Sequence, residues 1–135
     1  MKKKILLIED NDGDQLLIKE MLSETDLDFE LNVASTGEEG IAQLDSLKPD
    51  IVITDTNLPG MDGFEVCQKI KEVRGDLTKV IVMTGVIDAV DAGKALDSGA
   101  DDYCVKTADC ESLVNALRSG PASEVVVKVK RNIEE

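Results

Sequence analysis

Five short apolar stretches punctuate the chain, and the segments between them carry apolar residues at helical spacing. ILLI (Ile5 to Ile8), IVIT (Ile51 to Thr54) and VIVMT (Val80 to Thr84) are nearly unbroken apolar runs, the mark of strands covered by helices on both faces. FELNVA (Phe29 to Ala34) alternates apolar and polar positions, and YCV (Tyr103 to Val105) is short. These two are expected at the edges of a sheet. In the intervening segments Leu17 and Met21, Ile41 and Leu44, Val66, Ile70 and Val73, and Leu113 and Leu117 recur with the helical period. Thr36 to Glu39 has capping-box spacing, and Asp12 to Gln15 and Asp62 to Glu65 repeat it with Asp as the cap. Gly99 and Gly120 are placed to end the helices after the fourth and fifth strands, and Pro121 blocks continuation. The alternation predicts an α/β fold, a doubly wound five-stranded parallel sheet in the order 2-1-3-4-5, flanked by five helices.

That order has a chemical consequence. Open parallel sheets bind ligands beyond the carboxyl ends of their strands, where the strand order reverses, here between the first and third strands. The first strand ends in Glu9-Asp10, the third in Asp55 and the fourth in Thr84-Gly85, and the fifth is followed by Lys106. Singly, each has an ordinary role. An Asp after a strand often caps a turn, Thr84 suits a strand as a β-branched residue, Lys106 can be an edge charge that discourages aggregation, and Tyr103 can be a core or edge aromatic. The joint placement of Glu9-Asp10, Asp55, Thr84 and Lys106, each after a different strand at one end of the sheet, has no such account.

Three carboxylates against one ammonium leave that rim anionic, and crowded like charges resist ionising together. A divalent cation balances them. Mg²⁺ suits the ligands, since it prefers oxygen, keeps several waters and is typically held by one or two carboxylates plus phosphate oxygens. Asp55 and Asp10 can each ligate through one oxygen, Glu9 through water, and Asn57 through its backbone carbonyl. Zinc and softer metals lack Cys or His ligands at the rim. A carboxylate is also a competent nucleophile toward a phosphoryl group. The metal and Lys106 would neutralise the phosphoryl oxygens, and the Thr84 hydroxyl can hydrogen-bond to one of them.

Size and composition narrow the field further. At 135 residues the chain makes one ordinary domain without disulfides or structural metal. With 15 Lys and Arg against 28 acids the formal charge is −13, which repels phosphate backbones and anionic membranes. Direct nucleic-acid or membrane binding by this chain alone is therefore not expected. Histidine is absent, which excludes a Ser-His-Asp triad, a His-ligated metal and a phosphohistidine carried by the chain itself. The three cysteines, Cys67, Cys104 and Cys110, show no CxxC spacing and read as reduced core thiols, in keeping with a cytoplasmic protein. The apolar run after MKKK is too short for a signal-peptide core, and none approaches the length of a membrane span.

The motifs ILLIED, KPDIVITDTNLPGMDG, VIVMTG and SGADDYCVK resemble, from about Lys3 to Ser119, the receiver domain of the response-regulator family of two-component signalling, with its CheY-like, flavodoxin-like fold. The resemblance implies that Asp55 is the phosphoacceptor and that Glu9, Asp10 and the Asn57 carbonyl hold Mg²⁺. It further implies that Thr84 and Lys106 contact the phosphoryl group and that Tyr103 is an aromatic switch turning inward as Thr84 moves. The implied donor is a phosphohistidine on a sensor histidine kinase or phosphotransfer protein. The implied output surface spans approximately Asp88 to Arg118, and its target protein is not named by the sequence. On this reading residues 1–120 form the receiver domain, which acts on itself and is not an enzyme in the usual sense. Residues 121–135 form a tail whose VVVKVK alternation suits edge pairing, dimerisation or a linker stub, although short disordered tails are the commonest case.

Two departures qualify the likeness. Thr107 stands where the family usually has a cis-bonded proline, and because a cis bond before a non-proline residue costs about 2.5 to 4 kcal/mol, Lys106-Thr107 is expected to be trans. Gly93, inside the helix after the fourth strand, costs up to about 1 kcal/mol relative to Ala and reads either as close backbone packing or as a pliable signalling helix. Two other functional classes compete with the switch. A small Mg²⁺-dependent phosphatase with an aspartyl-phosphate intermediate is disfavoured, because phosphatases resembling haloacid dehalogenases place a second Asp where this chain has Asn57. A docking module independent of phosphorylation leaves the acceptor set unexplained.

Overall fold

The computed structural model describes residues 3–25, 28–56, 58–84, 89–105 and 117. Five parallel strands, β1 (Lys3–Ile8), β2 (Phe29–Ala34), β3 (Ile51–Asp55), β4 (Lys79–Thr84) and β5 (Asp102–Val105), form one sheet in the order β2-β1-β3-β4-β5. This is the predicted order, with the predicted edges. The unbroken apolar runs are explained by the pleat, which sends successive side chains to opposite faces. Leu6, Ile8, Val52, Val80 and Val82 join one core cluster, with Leu44, Val66 and Ile70 of the helices over them. Ile5, Leu7, Ile51, Ile53, Ile81 and Met83 join the other, with Ile18, Met21 and Leu22.

Helix α1 (Asp12–Glu24) starts one residue earlier than its sequence signal suggests. Asn11, not Asp12, is the cap, and its side chain accepts the Asp14 N–H at 2.9 Å. Two adjacent Asx residues both satisfy the composition rule, and the extended backbone at Asn11 decides between them. The predicted second helix is broken in two, α2 (Gly37–Ala42) and α3 (Leu44–Leu47), joined at Gln43. Thr36 caps α2 by accepting the Glu39 N–H at 3.1 Å. The Glu39 carboxylate reaches the Ser35 N–H at 3.1 Å, so the return bond of the capping box lands one residue before the cap.

Helix α4 (Gly63–Arg74) is capped by Asp62, whose Oδ1 accepts the N–H groups of Phe64 and Glu65, both at 2.9 Å. A short 3₁₀ turn, Gly75–Leu77, leads into β4. Helix α5 (Ala89–Asp97) ends where Gly99 adopts φ +90°. The Ala100 N–H donates to Ala95 O at 3.0 Å and the Gly99 N–H to Leu96 O at 3.1 Å, a Schellman closure that favours glycine. Gly93 lies half-buried in the middle of α5. Of the predicted last helix only Leu117 is described; it is helical and buried in the second cluster. Gly120, Pro121, the 121–135 tail and the Lys106-Thr107 bond lie outside the described residues.

The amino end of the sheet is held by ion pairs that connect distant parts of the chain. The Lys71 ammonium donates to Asp101 at 2.6 Å and to the Thr78 carbonyl at 2.8 Å. Lys79 pairs with Asp102 at 3.0 Å. The Asp102 side chain is fully buried and Lys79 is partly exposed, so the pair ties the start of β5 to β4, and removing Lys79 would leave a buried carboxylate uncompensated. No helix among the described residues is long and apolar enough to cross a membrane.

Cys67 and Cys104 are buried free thiols on opposite faces of the sheet, as the sequence suggests, and Cys110 lies outside the described residues. Burial first, and then the Asp102 carboxylate, push the Cys104 thiol from its ordinary 9.0 up to about 12, with Lys79 pulling weakly the other way. The unfolded chain loses this proton above pH 9.0 while the folded chain keeps it to about 12, so the contribution is complete below that window and is lost as pH rises through it. Stability should fall by at most about 1.4 kcal/mol per pH unit from this group. Urea unfolding across the window should show a shallower pH slope for Cys104→Ala; equal slopes would count against the assignment.

Candidate functional site

The carboxyl ends of β1, β3 and β4 meet at the reversal of strand order. Glu9 follows β1 directly and is 1% exposed. Its N–H donates to Ala34 O at 3.0 Å, continuing the ladder to β2, and its carboxylate accepts the Asn11 N–H at 3.1 Å. Its carbonyl accepts Gln15 Nε2 at 2.6 Å. The turn from strand into α1 therefore fixes both ends of the Glu9 residue. Asp10, next in the chain, is exposed.

Asp55 is the last residue of β3 and is 9% exposed. It lies one position beyond the Ile8–Thr54 pair of the β1/β3 ladder and opposite Met83 of β4. Carboxylate oxygens of Glu9, Asp10 and Asp55 lie within 4.8 Å of one another. The structure thus gathers three residues that are separated by up to 46 positions in sequence (55 − 9). All three offer hard oxygen donors and the group is anionic, the donor chemistry that fits Mg²⁺. The two described thiols are buried in the core clusters, and the chain has no histidine. Softer metals therefore find no preferred ligand among the described residues here.

Thr84 ends β4, buried, and its partner in the ladder is Val105. Lys106 follows Val105 in sequence; Lys106, Asn57 and Gly85 all lie outside the described residues. Tyr103, opposite Val82 in the same ladder, is 1% exposed and packed in the cluster that contains Ala92 and Ala95 of α5. Its ring is therefore inside the protein.

The support under Asp55 is backbone. The Thr56 N–H donates to Met83 O at 3.0 Å, and the Gly63 N–H donates to Thr56 O at 3.1 Å. A Cβ added at Gly63 would stand 2.0 Å from the Asp55 carbonyl oxygen. Helix α4 can begin this close to the strand end only because its first residue has no side chain. The sequence places Gly63 directly after the Asp62 cap, and only the structure shows the strand end pressed against it. The roles of Thr56 and of the bond from Gln15 to Glu9 emerge only from the structure. The available signal for Gln15 was a long polar side chain in the first turn after a strand that ends in acids.

Comparison with known proteins follows the same lines. The response regulator receiver domain family matches residues 5–118. The transcriptional regulatory protein AfsQ1 of Streptomyces coelicolor is 41% identical over 102 residues, covering 76% of this chain and 44% of that protein. The nitrate/nitrite response regulator protein NarL of Escherichia coli is 34% identical over 123 residues, covering 91% of this chain and 56% of that protein. The chain thus spans about half the length of these relatives. The expectation that nucleic acid is no partner finds no support here, since one of the two is named for transcriptional regulation. Among solved structures, the phosphorylated cyanobacterial phytochrome response regulator RcpA is 30% identical, covering 87% of this chain and 90% of that chain, with a TM-score of 0.72. Sheet order, the acidic group at the strand reversal and the match over 5–118 agree: the chain belongs to the response regulator receiver domain family.

Proposed function

We propose that the protein is a phosphorylation-controlled switch in which Asp55 accepts a phosphoryl group from a phosphohistidine on a sensor histidine kinase or phosphotransfer protein. The supporting observation is the gathering of the Glu9, Asp10 and Asp55 carboxylates at the strand reversal, in a chain of the receiver family. In the transfer an Asp55 carboxylate oxygen attacks phosphorus, a P–O bond forms as the P–N bond breaks, and the electron pair leaves with the imidazole, which takes up a proton. Glu9, Asp10, Asp55 and the Asn57 carbonyl would hold Mg²⁺. When bound, the ion would offset charge on the phosphoryl oxygens. Lys106 supplies a further positive charge to those oxygens and Thr84 a hydroxyl donor. Tyr103 is the switch, its ring held in the inward position seen here as Thr84 engages the phosphoryl group. The surface of α5, β5 and the following segment to Arg118 then meets a target protein. The protein works in the cytoplasm, with residues 1–120 as the receiver unit and 121–135 as its tail, and its chemistry is confined to its own phosphorylation and dephosphorylation.

The direct test is incubation with acetyl phosphate with and without Mg²⁺, read by intact mass. A base-labile adduct of one phosphoryl group is expected only with the metal, and Asp55→Asn should reduce it to background. A metal-independent adduct, or one that survives Asp55→Asn, sinks the assignment.

A further inference from the structure

A second concave surface lies outside the acidic rim, between the outer faces of α4 and α5. This groove of about 290 Å³ is lined by Asp62, Phe64, Glu65, Gln68, Lys94, Asp97 and Ser98. Phe64 is half-buried and packs against the core. The Lys94 ammonium stands over its ring, 5.9 Å from the centroid. That ring face already receives a cation, at the outer limit of the distance at which the attraction counts. Three carboxylates, of Asp62, Glu65 and Asp97, line the groove against the single ammonium of Lys94. Asp62 spends one oxygen on the α4 cap, whereas Glu65 and Asp97 are exposed.

We propose that this groove receives an arginine side chain from a partner protein, its guanidinium lying over Phe64 and bonding to Glu65 and Asp97. Charge complementarity selects a cation. Planarity selects arginine over lysine, because the guanidinium stacks on an aromatic face and meets carboxylates with paired donors. The volume is at the lower end for small-molecule sites and suits one long side chain with its neighbours. Lys94 then acts as an internal occupant that the guest displaces. The proposal does not depend on phosphorylation of Asp55.

The test uses the unphosphorylated full chain and a short acetylated and amidated peptide, Ala-Leu-Arg-Leu-Ala, with its norleucine counterpart in place of Arg. Titration is followed by backbone amide NMR shifts. The arginine peptide should move the amides of Phe64 to Gln68 and of Lys94 to Ser98, and the norleucine peptide should not. The double variant Glu65→Lys with Asp97→Lys should lose the response while keeping its spectrum dispersed. Lys94→Met, which vacates the ring face, should strengthen binding at least twofold. Equal responses to the two peptides, shifts only at the Glu9, Asp10 and Asp55 rim, an unchanged response in the double variant, or weaker binding by Lys94→Met would each overturn the proposal.

Discussion

Gly63→Ala is expected to cost about 3 kcal/mol or more, the upper end of overpacking penalties. The added methyl would meet the Asp55 carbonyl oxygen at 2.0 Å and the Thr56 Cα at 2.9 Å. Both are backbone atoms held in the sheet and turn, so no side-chain rotation relieves the contact. Either α4 withdraws or the end of β3 bends, and both movements displace the carboxylate that follows from that backbone. Gly40→Ala is the control. Its methyl would meet Ile8 Cδ1 and Cγ1, side-chain atoms that can shift by repacking without moving backbone, and should cost distinctly less. Urea unfolding of both variants measures the difference. A Gly63→Ala protein as stable as the parent would show that the end of β3 is softer than its hydrogen bonds imply.

Removing one charge from the rim should have the opposite sign in the absence of metal. Carboxylate oxygens within 4.8 Å of one another repel in the folded state, and this repulsion largely vanishes in the unfolded chain. Asp55→Asn keeps the shape and deletes one charge, so in metal-free buffer it should stabilise the protein by roughly 1 to 2 kcal/mol. Mg²⁺ should then stabilise the parent by about 2.7 kcal/mol at a hundredfold excess over its dissociation constant, and the variant by much less. Thermal unfolding of both proteins with and without Mg²⁺ yields the four values needed. A parent insensitive to Mg²⁺, or a variant that responds equally, would remove the metal from this site.

How much of this was legible in the sequence depends on the range of the interaction. The central strands announce themselves because burial on both faces demands consecutive apolar residues, as in Ile51 to Ile53 at the start of β3, all of them buried. The rim was legible because the fold rule places all strand ends together, so Glu9, Asp10 and Asp55 could be grouped without knowing a single distance. Local ambiguities were resolved only by backbone angles, as when Asn11 took the cap expected of Asp12. The break at Gln43 between α2 and α3 had no sequence signal of its own. Least legible were pairs such as Lys71 with Asp101 and Lys79 with Asp102. Charged residues abound in this chain, and nothing in their spacing says which of them meet at the amino end of the sheet.

The burial of Tyr103 has an optical consequence. The chain contains one tyrosine and no tryptophan, so near-ultraviolet emission comes essentially from that one ring, and the ring lies at 1% exposure beside Val82 in the β4/β5 ladder. A change in its solvent contact will alter the fluorescence intensity of the unlabelled protein, with no other strong emitter to mask it. The residue proposed as the switch is also the one that can be followed in real time in a cuvette.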